Sequence, residues 1–520
     1  MCNAVTELPA LVDSGVISTY IASPNLIPWS WRNVMVYMNK DITAQWLAVM
    51  RKFSTETSES VALMRYPAST SSWLPLVACC LSTFLLLLYT TIVTVPLPVI
   101  GMDLNAGFGE RQWIIDVYTV ALAGLLLGAG ALSDMFGEHR IYVMGLAIFG
   151  AATVACGIAP SPAWLIGARA AQGFGGAAAF AAILPLIGRS YGDPRQKAKA
   201  FAIWGAVSGA ASAIGTVGGG MLAEYVGWRW IFIGTLPLCV IALVLSMRAF
   251  PVGDEVGHHN ERFDWSGSIA ITACVTSLVY AVIVTGESGW EAGRAAVGWF
   301  VAVVAGGVFL VAEYRSAQPI LPLGLFGAPG LVGVMLTAFG YYFAAFGSLP
   351  VLATWMQAQL GLGSLATSLV IVCQVLVFIA VSGFGSHRLH AIHPGWRLGG
   401  GTILIGVAAL SVLALEAVAD WRLLLPFPLL SGLGAGVVSP ALPAVAMAAA
   451  PVRYAGTASA AANASRQLGL AVGIAACASV AHTGTLASVT AAHLVSGVIG
   501  IGTGVAGAAL LWRANGSEHK

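Results

Sequence analysis

From Trp73 onward the chain is organised as solid apolar runs separated by short polar or glycine-rich breaks. The runs lie near 75–99, 113–133, 141–160, 163–188, 200–222, 230–250, 267–286, 296–314, 329–354, 365–384, 399–416, 423–448, 455–481 and 490–512, about fourteen in all. A run of roughly 20 apolar residues, rising 1.5 Å per residue, spans the roughly 30 Å hydrocarbon layer of a bilayer. The pattern therefore predicts an all-α integral membrane protein. Residues 1–72 break the pattern: they carry Trp29, Trp31 and Trp46 and scattered charges, but no long apolar run. No secretory h-region is found there. An amphipathic surface helix over 26–53, a weakly ordered extension, and a true start at Met64 all remain open for this stretch.

Composition points the same way. Hydrophobic residues make up 58% of the 520 and charged residues 9%, with a mean hydropathy of +0.84, where soluble domains carry about 25% charged residues. Lys+Arg of 24 against Asp+Glu of 22 is too balanced to suggest nucleic acid. The 62 glycines suit helices that approach closely in lipid. Eight cysteines, without a CxxC, read as small core residues. Basic residues near the run ends divide thirteen to four between the two sides. That places the richer side and both chain ends in the cytoplasm of a cell membrane. The Gly/Ala-rich stretches 198–215 and 455–475 resemble one another. They suggest two six-helix halves, 73–250 and 319–520, with two inserted helices in 251–318, a repeat design used by transporters.

Gly130–Arg140 reads GALSDMFGEHR. By chemistry alone Gly130, Asp134, Gly137 and Arg140 make a tight helical hairpin with a cap or ion pair. The pattern G-x-L-x-D-x-x-G-x-x-R also resembles the loop 2–3 signature of the major facilitator superfamily. Residues 90–104 and Trp113–Tyr118 resemble the end of helix 1 and the start of helix 2 in its fourteen-span drug/proton antiporter family. Arg169-Ala-Ala-Gln172-Gly173, Trp228–Phe232 with Leu236-Pro237, and Asn463-Ala-Ser-Arg466-Gln467-Leu-Gly469 resemble its helices 4, 6 and 13. Exporters of the methylenomycin-resistance and quaternary-ammonium type are the most similar in these motifs. The resemblance implies a major facilitator fold of two six-helix halves plus two helices. It also implies export of small organic compounds in exchange for protons, by alternating access. A facilitator-type importer or symporter is the alternative.

Three positions depart from the family. Tyr89 stands where members commonly have an aspartate. Gly215-Thr216-Val217-Gly218-Gly219-Gly220 replaces G-P-x-x-G-G, and Ala462, Asn463 and Gln467 occupy places that are acidic in some multidrug members. Of the 22 acidic residues, Asp116 alone lies well inside a run. A charge at such depth costs about 2.5–3.5 kcal/mol on insertion scales and usually has a function. Arg169 and Arg466 are also intramembrane. Depths of about 5, 9 and 15 Å from the outer end make a ladder of Asp116, Arg169 and Tyr89 sterically feasible. Asp116 is then expected to carry the coupling proton, with Arg169 tuning it; a static Asp116–Arg169 bridge and a hydrated acid at the outer mouth are the plain alternatives. Two arginines against one aspartate leave the interior at +1, which disfavours lipophilic cations and predicts neutral or weakly acidic substrates.

Tyr118, Gln172, Trp204, Tyr341, Tyr342, Trp355, Gln357, Gln374, Asn463, Arg466 and Gln467 are the candidates to touch substrate. His387, His390 and His393 are better explained as a basic loop than as a metal site. No G-x-x-x-x-G-K-[ST] loop, nucleophile–base pair or zinc-ligand spacing is found, so no cofactor, resident metal or enzymatic chemistry is expected. The expected partners are the bilayer, a small organic substrate and protons. An accessory efflux component stays open.

Overall fold

The computed structural model describes residues 73–250, 264–289, 293–316, 319–389, 392–416, 421–451 and 454–518. The extension 1–72, the linker 251–263, His390 and the side chains of Asp134 and His387 lie outside the described residues.

In hydrocarbon every backbone polar group must be paired within the chain, so each apolar run becomes a helix. The first half comprises α1 (Leu74–Thr91), α2 (Leu97–Asp103), α3 (Phe108–Phe136), α4 (Glu138–Gly157), α5 (Pro162–Ser190), α6 (Pro194–Tyr225), α7 (Trp230–Ile233) and α8 (Leu236–Ala249). The inserted pair is α9 (Trp265–Ser288) and α10 (Gly293–Arg315). The second half holds α11 (Pro329–Phe346), α12 (Leu349–Leu360), α13 (Ser364–Leu389), α14 (Gly401–Leu410), α15 (Pro426–Ala448), α16 (Ala455–Val480) and α17 (Leu486–Glu518). Twelve helices among the described residues are long and apolar enough to cross a membrane. Two more rods, α3 and α16, have 29 and 26 residues. Those two carry Asp116 and Arg466.

Three runs expected to be continuous are broken. The first bends at 92–96 between α1 and α2, the sixth at Gly234–Thr235 between α7 and α8, and the ninth at Gly347–Ser348 between α11 and α12. Each break is followed within the next turn by a proline at the new helix start: Pro98, Pro237 and Pro350. Proline lacks the N–H that would bond one turn back, and its ring clashes with that carbonyl. Pro162 behind the Ser161 cap and Pro194 behind the Asp193 cap open helices where no such bond is needed, while Pro185, Pro440 and Pro443 are carried inside α5 and α15.

Glycine sets the tightest approaches. A methyl group on Gly219 would collide with the carbonyl of Ile92, and one on Gly220 with the Ser368 side chain, so α6 is wedged between α1 and α13. Gly215 lies against Thr91 and Leu88 in the same way. Gly137, at φ 96°, makes the turn from α3 to α4. A methyl on Gly130 would meet nothing within 4 Å, so packing does not require glycine there. Arg140 is exposed at this turn, whose neighbour Glu138 is buried and bridged to Arg189 at 2.9 Å.

The halves meet along α6 with α13 and along α3 with α16. Ser368 Oγ donates to the Thr216 carbonyl (2.9 Å), Gln357 Nε2 to the Val95 carbonyl (2.9 Å), and the Leu365 N–H to Glu224 Oε2 (2.8 Å). The inserted helix α9 lies across the second seam. Thr272 Oγ1 donates to the Gly124 carbonyl on α3 (3.0 Å), and Ser479 Oγ on α16 donates to the Val282 carbonyl on α9 (2.9 Å).

Candidate functional site

Between the halves runs a cleft lined by Leu87, Thr90, Thr91 and Thr94 from α1 and the bend after it, Ser212 from α6, Tyr342 and Phe346 from α11, Leu349 and Pro350 from α12, and Gln467, Leu470 and Ile474 from α16. Half of its lining residues are apolar and half carry a hydroxyl or amide, and among the described residues no Asp, Glu, Lys, Arg or His lines it. The hydroxyl protons of Thr90 and Thr91 go to carbonyls of their own helix or of Ser212 (2.6–3.3 Å), which leaves oxygen lone pairs toward the space. Gln467 is fully buried and neither amide atom has a partner. A buried amide left so costs about 1–3 kcal/mol. The Arg466 guanidinium lies 4.6 Å from the centroid of the Tyr342 ring, and its Nε is unpartnered. Tyr342, Arg466 and Gln467 thus come together from two helices of the second half. Asn463 sits partly buried one turn earlier on α16.

The other expected contact residues are dispersed. Tyr118 donates to the Leu86 carbonyl at 2.7 Å, and Gln172 Nε2 donates to Thr153 Oγ1 at 2.8 Å; both are buried inside the first half. Trp204 donates to Thr83 Oγ1 at 2.8 Å beside Phe180. Gln374 reaches the Ala345 carbonyl at 2.9 Å, Trp355 is buried in the second half, and Tyr341 stands edge-on to Tyr342. Of the expected set, only Tyr342 and Gln467 line the cleft. Thr90, Thr91, Thr94 and Ser212 line it too and were not singled out in the sequence. Their signal was available: 90, 91 and 94 lie within about one turn of each other at the end of the first run.

Asp116, Arg169 and Tyr89 do not form the expected ladder. Arg169 is 1% exposed and spends its donors on the Ile114 carbonyl (3.2 Å), Gln172 Oε1 (2.7 Å) and the Tyr89 carbonyl (3.3 Å), with its guanidinium 4.3 Å from the Tyr118 ring centroid. The Tyr89 hydroxyl points away toward Thr235 and the Ile231 carbonyl. Asp116 is fully buried, and neither carboxyl oxygen has a hydrogen-bond partner. The reason is helical phase. Asp116 is two residues from Ile114 and two from Tyr118, about 200° around α3 in either case, and those two residues face α5. The face that holds Asp116 also carries Gly109, Trp113, Val120, Ala123 and Gly124, which meet α9 and α16. Asp116 therefore sits in the seam between the halves, behind the inserted helix, while Arg169 is a tie within the first half.

A family model described as the Major Facilitator Superfamily matches residues 79–474 and, in a second match, 334–519. The chain belongs to this superfamily. As a major facilitator it is a membrane transporter, and its relatives place it with the drug-efflux members. It is 30% identical over 394 residues to a methylenomycin A resistance protein of Streptomyces coelicolor, covering 76% of this chain and 82% of that one. It is 33% identical over 426 residues to a puromycin resistance protein of Streptomyces alboniger (81% and 84%), and 31% identical over 407 residues to the multidrug resistance protein Stp of Mycobacterium tuberculosis (78% and 75%). Among solved structures, a peptide transporter, POT, in complex with sulfate superposes with a TM-score of 0.62 at 15% identity, covering 85% of this chain and 94% of that one. The human organic anion transporter MFSD10 superposes at 0.58 with 16% identity, covering 86% and 100%. At such identities the structural likeness speaks for the fold alone.

Proposed function

We propose that the protein exports small, uncharged, largely apolar organic molecules from the cytoplasm in exchange for inward-moving protons, with Asp116 carrying the coupling proton. Asp116 is the observation that carries this reading. An anion buried without a partner is costly, and a proton on the carboxyl removes that cost. The seam holding it is one that must part if the halves rock about the cleft, as paired-repeat transporters do. Loading from the outside and release to the inside would then alternate with the two ways of opening the seam. Each proton moving inward contributes about 2.3 kcal/mol per 100 mV of membrane potential.

The substrate side rests on the cleft. Its aliphatic wall suits an apolar body, its threonine oxygens accept hydrogen bonds, and Gln467 offers one donor and one acceptor group. With no carboxylate on the lining, a permanent cation finds no counter-charge. The relatives named for resistance to methylenomycin A and puromycin support export of antibiotic-like compounds. The test is a drug-susceptibility panel in a strain with and without the gene, repeated with an uncoupler. The expected result is uncoupler-sensitive resistance to neutral drugs and little protection against quaternary ammonium dyes. Equal protection against both, or accumulation instead of loss of labelled compound, would contradict the reading.

A further inference from the structure

One turn before Asp116 on the same face of α3 lies Gln112. It is 4% exposed, and neither atom of its amide has a partner. Four residues separate the two side chains, about 6 Å along the helix, so both lie on the side of α3 whose Trp113, Val120 and Ala123 meet α9 and α16. The seam is largely apolar around Asp116, with Val120, Ala123, Val279, Ile283, Ala471 and Ala475 in it, and the hydroxyls of Thr272 and Ser479 there are spent on the Gly124 and Val282 carbonyls. A lone amide and a lone carboxyl, both unsatisfied, are unfavourable in such a place. A glutamine and an acid at this spacing are nonetheless suited to bond each other on a helix surface. In this structure they do not bond each other.

Other charged or titratable groups on the packed elements are few. From α9, Tyr280 meets Trp113 and Glu287 meets Gly109. On α16, Arg466 lies deeper, Cys477 is turned toward Ser496 on α17, and His482 is exposed just past the helix end. On α3 itself, Glu110 accepts from the Gly107 N–H and Arg111 packs over Gly101, on other faces.

We propose that Gln112 is a positioning residue for the coupling proton: when the seam opens toward the outside, its amide N–H takes up the Asp116 carboxylate and holds it in the orientation that exchanges protons with outer water. When the seam closes over a protonated Asp116 the bond is given up, and both groups stand unpartnered as they do in this structure. This proposal rests on Asp116 being the proton carrier. Gln112 need not touch substrate.

The experiment uses purified full-length protein in proteoliposomes. Infrared difference spectra across pH isolate the protonated-carboxyl band, which Asp116→Asn assigns to Asp116. Gln112→Leu removes the amide at similar size, and Gln112→Met repeats the change should the first variant fold poorly. Losing a bond that favours the ionised form should move the midpoint of that band up by about one pH unit, a tenfold change in proton affinity. A midpoint unmoved in a folded apolar variant would overturn the proposal. Failure of the coupling reading looks different: Asp116→Asn would then remove the band yet leave proton-driven transport intact, whatever Gln112 variants do.

Discussion

At the scale of single residues, the intramembrane polar groups divide into those that are spent and those that are spare. Arg169 is spent: each of its three nitrogens has an acceptor and its plane lies on an aromatic ring inside the first half. Asp116, Gln112 and Gln467 are spare, being buried with polar atoms that bond nothing. Spare groups in a transporter mark where a ligand or a moving neighbour completes the structure. Gln467→Ala is therefore expected to lower export of neutral drugs about tenfold, corresponding to a net hydrogen bond of about 1–1.5 kcal/mol. Gln467→Glu should cut neutral export further and admit lipophilic cations. Dose–response curves for a matched neutral and cationic pair measure both; unchanged ratios would remove Gln467 from the substrate wall. The acid and both arginines were legible in the sequence because a charge inside an apolar run stands out. Their pairing was not, because run depth fixes height in the membrane and says nothing of rotation about the helix axis.

At the scale of elements, the helical runs were legible because hydrophobic length directly predicts a span, and twelve of the fourteen expected are long and apolar enough to cross a membrane among the described residues. The breaks at Pro98, Pro237 and Pro350 could have been read from proline chemistry, yet their exact bends depend on packing. One short element shows how a loop is held. Asp103 at the end of α2 accepts from the Trp228 indole (3.0 Å) and from Arg229 (2.6 Å), joining α2 to the start of α7. These two donors hold its carboxyl below the ordinary range. A group so depressed contributes stability above its unfolded value of about 3.9, and that contribution is lost as pH falls through the folded value. The pair is nearly half exposed, so Asp103→Asn should cost less than about 1 kcal/mol near neutral pH. Thermal unfolding of the two proteins should converge in acid; a gap that persists at low pH would show that the carboxyl's charge is not what matters.

At the scale of the whole molecule, two seams join the halves, and the cleft lies beside both. The α6–α13 seam is tight. A β-carbon on Gly220 would stand 2.6 Å from the Ser364 carbonyl and 3.0 Å from the Ser368 β-carbon, closer than non-bonded atoms pack. Gly220→Ala should therefore spread this seam and lower transport by protein inserted at the wild-type level. Full transport by Gly220→Ala would show that the close approach is not needed. On the proposed mechanism, one unpartnered acid between the halves couples the proton gradient to export. Its direct measurement is substrate-driven proton flux in inside-out vesicles carrying Asp116→Asn, with equal protein inserted. Flux should fall to background while downhill substrate exchange continues. Flux equal to wild type would contradict it.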